Sequence, residues 1–148
     1  MKNKSWSYLR PNDIVDIIAP ASHSPADKLQ RGLDWIRSVG LIPHVPEDLI
    51  KTDLFFAAPL ELQLDQLKRA LYSDSKAIWC LRGGYGSMRL VPHLAKLKPP
   101  KKPKLFIGFS DITSLICFLV KIGTGLSYME GPLVRCILII SHHLIVSF

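Results

Sequence analysis

Cysteine is scarce in this sequence of 148 residues, and the few present do not pair by spacing. Cys80, Cys117 and Cys136 are odd in number, far apart and free of any C-x-x-C motif, which argues against a disulfide framework and against a cysteine zinc site. A reducing cytoplasm is the simplest setting for such a chain. Long apolar runs are missing as well. The tail "CILIISHHLIVSF" falls short of the roughly 20 residues that cross a bilayer, and it carries two histidines. The basic start "MKNKSW" leads into "DIVDIIAPA", which Asp13 and Asp16 interrupt, so no signal peptide is expected and no membrane partner. Neither G-x-G-x-x-G nor a Walker A sequence occurs, which weakens a nucleotide reading. No internal repeat or low-complexity linker divides the chain.

Hydrophobic residues make up 48% of the sequence and charged residues 21%, a globular balance in a length that suits one domain with a substantial core. The formal charge of +7 leans toward acidic partners. Five lysines, however, fall in "KLKPPKKPK" between Lys96 and Lys104, interrupted by three prolines and standing just before an apolar strand. No aromatic residue interleaves them to stack bases, so a solvated loop is expected there and no nucleic-acid partner.

Strand and helix signals alternate along the chain. "IVDIIAP" reads as a buried strand. In the helix that follows, Ser24 is placed to cap, Pro25 suits the first turn, Asp27 completes a capping-box spacing, and Gly40 is placed to end it. "LIPHV" is a short second strand. The next segment carries Leu60, Leu64, Leu67 and Leu71 on one helical face. "KAIWCL" and "KLFIGF" are further strands, separated by "RGGYGS", a helix bent or delayed by Pro92, and the lysine loop. A last helix, "DITSLICFLVKIG", ends near Gly123. This alternation implies an α/β fold with a mostly parallel sheet and helices on both faces. Ligands bind such sheets at the carboxyl ends of the strands, where "APASHS", "RGGYGS" and "GFSD" come together.

Gly108 and Ser110 in "IGFSDI" fit a nucleophile elbow, a tight strand-to-helix turn that exposes a serine oxygen at a helix N-terminus. The match is partial, because G-x-S-x-G would place glycine where this chain has Ile112. A plain N-cap role for Ser110, with Asp111 as a first-turn acid, is the competing reading. The glycines of "RGGYGS" supply amides for an oxyanion hole or an anion cradle, or they simply form a tight turn. Arg82 either pairs a substrate carboxylate or sits in solvent. A nucleophilic serine also needs a base. His23 follows the first strand, His44 and His93 lie on a strand and a helix, and His142 and His143 stand in the tail. None comes with an evident carboxylate partner.

Taken together, "WCLRGGYGSMRLVPHL", "KLFIGFSDITSLICFL" and "GPLV" resemble the N-terminal half of the serine L,D-carboxypeptidases, the family of murein tetrapeptide carboxypeptidases and microcin-immunity peptidases. "LRPNDIVDIIAPAS" and "LDQLKRALYSDSKAIWC" extend the resemblance over nearly all of residues 8–134. It implies a flavodoxin-like or glutamine-amidotransferase-like N-terminal domain. It also implies Ser110 as nucleophile, an oxyanion hole from the backbone amides of Asp111 and of Gly83 or Gly84, and neither metal nor cofactor. The implied reaction is hydrolysis of the bond between meso-diaminopimelate and D-alanine in murein tetrapeptides, during cytoplasmic recycling of the cell wall.

In that family the base histidine and its glutamate come from a second, C-terminal domain. Residues 1–134 are therefore expected to be the nucleophile domain and residues 135–148 a divergent apolar tail. The C-terminal domain is expected to be absent, leaving a truncated or frame-shifted product with activity near background. A homodimer or a separately encoded C-terminal half would restore a base. The alternatives are a non-catalytic module that binds peptides or small molecules through the same loops, and, more weakly, a nucleic-acid binder using Lys96 to Lys104.

Overall fold

A computed structural model describes residues 8–98, 100, 104–125, 134–139 and 145–147. The chain runs through β1 (Ile14–Ile18), α1 (Ala26–Ser38), β2 (Ile42–His44), α2 (Leu60–Tyr72) and β3 (Ala77–Cys80). A 3-10 turn over Ser87–Leu90 leads into α3 (Val91–Leu94), followed by β4 (Lys104–Gly108). A second 3-10 turn, Ser110–Ile112, opens α4 (Thr113–Gly125), and β5 (Val134–Ile139) and β6 (Ile145–Ser147) follow. The strands form one sheet in the order β2-β1-β3-β4-β5-β6, parallel from β2 to β5 and antiparallel at β6. This is the expected α/β class. The order 2-1-3-4-5 is that of flavodoxin-like sheets, whose direction of winding reverses between β1 and β3.

Alternate residues of each strand enter different cores. Val15 and Ile17 of β1, Ala77 of β3 and Ile107 of β4 pack with Leu33 and Ile36 of α1. Trp35 of α1 meets Trp79 of β3 edge to face at 5.5 Å. On the other face, Ile18, Ile78, Cys80 and Phe106 pack with Leu64, Leu67 and Leu71 of α2, Leu94 of α3 and Leu115 of α4. Leu67 and Phe106 are wholly buried, each contributing about 1.5–3 kcal/mol relative to exposure. Both faces are thus covered, which explains why these strands are apolar almost throughout.

Helix α1 ends as its glycine suggests. Gly40 takes φ +84°, donating its amide to Arg37 O at 2.9 Å while Leu41 donates to Ile36 O at 3.2 Å, a Schellman closure. Its start differs from expectation. Pro25 holds the N-cap position without a side-chain cap, and the carboxylate of Asp27 pairs instead with Arg31 one turn on at 2.9 Å. With proline preceding the first helical residue, the capping box is replaced by amides of Lys28 and Leu29 donating to Pro25 O.

One further expectation needs correction. Lys104 does not belong to a solvated loop: it is 4% exposed at the start of β4, where its ammonium meets three acceptors and neighbours a buried carboxylate. β5 and β6 fall in and beside the segment expected to be a divergent apolar tail. β5 pairs with β4 from Lys104↔Val134 to Gly108↔Leu138, and β6 returns along it. A β-prone segment beside an otherwise open strand edge gains a full ladder of backbone hydrogen bonds by this pairing. His142 and His143 lie outside the described residues. Among the described residues, no helix is long and apolar enough to cross a membrane.

Candidate active site

The site begins where β4 stops. Phe109 is extended (φ −151°, ψ 170°), and Ser110 then turns to φ +57°, the left-handed region. That conformation costs an L-residue about 1–2 kcal/mol, so the surroundings must impose it. They do so through β4, held by neighbours on both sides, and through Gly108. A Cβ on Gly108 would lie 2.4 Å from Cγ2 of Ile112, which is wholly buried. The elbow therefore closes by packing Ile112 onto Gly108, and the absence of a second glycine at 112 does not open it. Phe109 occupies the N-cap position and no side chain caps the turn, so the capping reading of Ser110 fails. Its side chain is exposed at the sheet edge.

The glycine loop after β3 lies directly against this turn. A Cβ on Gly83 would come within 2.9 Å of Phe109 O and 3.0 Å of the Ser110 Cβ. Gly84 (φ +111°) leaves room for Ser22, whose Oγ accepts the Tyr85 amide at 3.1 Å. Gly86 (φ +111°) leaves room for the ring of Phe56. That ring stacks on Tyr85 at 6.0 Å and carries the Arg89 guanidinium 3.5 Å from its centre. Arg89 donates in turn to Gln63 Oε1 at 2.7 Å, and Gln63 Nε2 donates to Ala19 O and Ala21 O at the end of β1. The three expected loops are thus brought together, and a fourth, from the β2–α2 connection, joins them through Phe56.

Asp111 does more than follow the serine. Its carboxylate accepts the Ser87 amide at 2.8 Å, and its carbonyl accepts the Ser87 hydroxyl at 2.6 Å and that of Ser114 at 3.0 Å. Ser87, the last residue of "RGGYGS", is fully buried, with its Oγ 2.8 Å from Ser114 Oγ. Among the described residues no acceptor takes the amides of Gly83, Gly84 or Asp111. The arrangement can therefore present an exposed hydroxyl beside backbone donors contributed by two loops.

The remaining candidates are placed less favourably. Arg82 is exposed, and its guanidinium donates to His23 O at 3.2 Å, bracing the first loop. His23 and His93 are exposed. His44 pairs instead with Asp16 of β1 at 2.6 Å. Among the described residues, none of these histidines hydrogen-bonds Ser110, and no three His, Cys, Asp or Glu side chains cluster to hold a metal ion. Ser22, Phe56 and Ser87 escaped the sequence reading. Ser87 had a visible signal as the end of the glycine motif, and the Phe55-Phe56 pair is conspicuous in a loop. Their contacts span sequence separations that no local pattern encodes.

Residues 15–131 match the protein family described as the LD-carboxypeptidase N-terminal domain. The murein tetrapeptide carboxypeptidase of Pseudomonas aeruginosa is 35% identical over 121 residues, 80% of this chain and 38% of that protein. A Rickettsia conorii protein named among the carboxypeptidases is 50% identical over 66 residues, 44% of this chain and 21% of its own length. The chain thus spans well under half the length of these curated relatives. Its fold matches the MccF-like protein from Bacillus anthracis (TM-score 0.68, 21% identity), covering 88% of this chain and 38% of that one. It likewise matches the microcin C7 self-immunity protein MccF in complex with aspartyl sulfamoyl adenosine (TM-score 0.65, 21% identity), covering 78% and 36%.

Proposed function

Since the chain belongs to the LD-carboxypeptidase family through its N-terminal domain, we propose that Ser110 is the nucleophile of a serine carboxypeptidase acting on murein tetrapeptides. One observation carries this reading: Ser110 holds a strained left-handed turn at the carboxyl end of β4, against the glycine loop, where it caps no helix. Strain of this kind persists where geometry serves chemistry.

In the proposed reaction, Ser110 Oγ attacks the carbonyl carbon that links meso-diaminopimelate to the terminal D-alanine. A base takes the hydroxyl proton as the C–O bond forms. The resulting oxyanion is met by the amides of Asp111 and of the Gly83–Gly84 pair, which need no reorganisation to receive it. Collapse breaks the C–N bond, and the D-alanine nitrogen leaves with the proton. Water then cleaves the acyl ester by the same steps in reverse order and restores the serine. No described histidine is placed to serve Ser110, so we assign the base to a segment outside the described residues, in keeping with the greater length of the relatives. A cytoplasmic role in recycling cell-wall peptides fits the few, widely spaced cysteines of the sequence.

The deciding experiment measures D-alanine release from a murein tetrapeptide, together with covalent labelling by a serine-reactive phosphonate, for the protein and its Ser110→Ala variant. Release and labelling that disappear in the variant support the reading. Reversible peptide binding with no labelling of the parent would overturn it in favour of a binding module that uses the same loops as an anion cradle.

A further inference from the structure

The proposed oxyanion hole is assembled from two separate loops, and the bond that sets their distance is a side-chain bond. We propose that the Asp111 carboxylate, with Ser87 as its partner, is a positioning device that holds the glycine loop in register with the elbow. The inference rests on the reading of Ser110 as the nucleophile.

The two donor groups of the hole have different origins. The Asp111 amide travels with the elbow and is set by β4 and by Ile112 on Gly108. The Gly83 and Gly84 amides travel with a loop whose glycines at 84 and 86 take φ +111°. Such residues have little conformational preference of their own, so the loop needs external ties. Ser22 supplies one at Tyr85, and the ring of Phe56 fills the space beside Gly86. Among the described residues, one tie joins the loop to the elbow through a charged acceptor: Asp111 Oδ2 takes the Ser87 amide at 2.8 Å, one residue beyond Gly86. The Ser87 hydroxyl closes the ring by donating to the Asp111 carbonyl at 2.6 Å, beside Ser114 Oγ at 2.8 Å. Residue 111 therefore grips Ser87 at both ends, by side chain and by backbone, while its own amide stays available. Charge-assisted bonds to a carboxylate are the stronger kind, and Ser87 is fully buried, where water does not compete. Loosening this clamp would let the loop amides drift relative to the Asp111 amide, and a misplacement of about 1 Å can cost about 100-fold in rate.

The test uses the full protein and a peptidyl phosphonate, following labelling of Ser110 over time at several concentrations, with circular dichroism to confirm folding. Asp111→Ala is expected to lower the limiting labelling rate by about 10- to 100-fold with little change in the half-saturating concentration. Asp111→Asn keeps an acceptor oxygen for the Ser87 amide and is expected to recover most of that loss. Ser87→Ala keeps the amide, loses the hydroxyl ring and should fall between them. A purely structural role would lower the fraction of protein that is finally labelled and leave the rate constant alone; that pattern, or equal rates in Asp111→Ala and the parent, overturns the clamp. A parent that is not labelled at all overturns the nucleophile reading instead, and the clamp's catalytic role with it.

Discussion

The same sheet carries two polar clusters, one toward each end of its strands, and they are built on opposite terms. Toward the amino end, Asp16 and Lys104 are 5% and 4% exposed. The Lys104 ammonium donates to Ala70 O and Ser73 Oγ at 2.5 Å and to Ser75 Oγ at 2.9 Å, and stands 4.0 Å from the Asp16 carboxylate. Asp16 also accepts Ser73 Oγ and faces His44 Nδ1 at 2.6 Å. Burial pushes the Asp16 carboxyl up, but hydrogen bonds from Ser73, Ser75 and His44 and the charge of Lys104 outweigh it and hold it below the ordinary 3.8. At the carboxyl end, by contrast, the amides of Gly83, Gly84 and Asp111 have no acceptor among the described residues, and Ser110 sits in a strained turn. A satisfied cluster locks strands together, whereas an unsatisfied one can bind and react. The comparison teaches that polarity alone does not mark a site; unspent hydrogen-bonding capacity does.

The sharpest break in this comparison is Ser110→Ala. It should lower D-alanine release by at least about 1,000-fold while leaving the thermal unfolding midpoint nearly unchanged, since alanine and serine bear the left-handed turn equally. Loss of fold in this variant would mean that the serine is structural. Lys104→Met should behave in the opposite way. Removing the ammonium from beside buried Asp16 and from its three buried acceptors is expected to destabilise by about 3–5 kcal/mol in chemical denaturation, yet the phosphonate labelling rate per folded molecule should hold. A comparable drop in that rate would show that the two ends are coupled.

A smaller effect separates strain from chemistry. Ser110→Gly removes the left-handed penalty and should raise stability by about 1–2 kcal/mol while abolishing labelling. No gain in stability would indicate that the turn is not strained. The smallest effect concerns acid. Because folding depresses the Asp16 carboxyl, its stabilising contribution is present above the ordinary value of 3.8 and is lost as pH falls through the lower folded value. Asp16→Asn should therefore flatten the acid limb of a stability profile below that pH, and an unchanged limb would assign acid sensitivity to other carboxylates.

Much of the fold was legible because its signals are local. β1, β3 and β4 are short apolar runs bounded by turn residues, α2 shows its leucine face, and Gly40 ends α1 at the residue where the pattern stops. Ser110 could be singled out but not decided, because an N-cap and an elbow share the same residue types. The deciding quantity was φ, set by Ile112 packing onto Gly108 and by Gly83 lying against the turn. Lys104 misled because it ends a lysine run, while its burial follows from Asp16, far earlier in the chain. Gln63 and Gln66 of α2 lie outside the leucine set that the sequence shows, yet they are buried, bonding the end of β1 and the loop at Asp48. The pairing of β5 with β4 was likewise invisible in a segment that reads only as apolar.

The sequence by itself determined the alternation of strands and helices, the three loops at one edge of the sheet and the family to which their motifs point, since each follows from periodicity, turn residues or short motifs. Only the tertiary structure decided that Ser110 turns left-handed and caps no helix, that Asp111 bonds Ser87, and that Lys104 and Asp16 meet toward the other end. Apart from Ile112 on Gly108, these depend on contacts between residues 24 to 88 positions apart, and only the packed sheet brings such residues together.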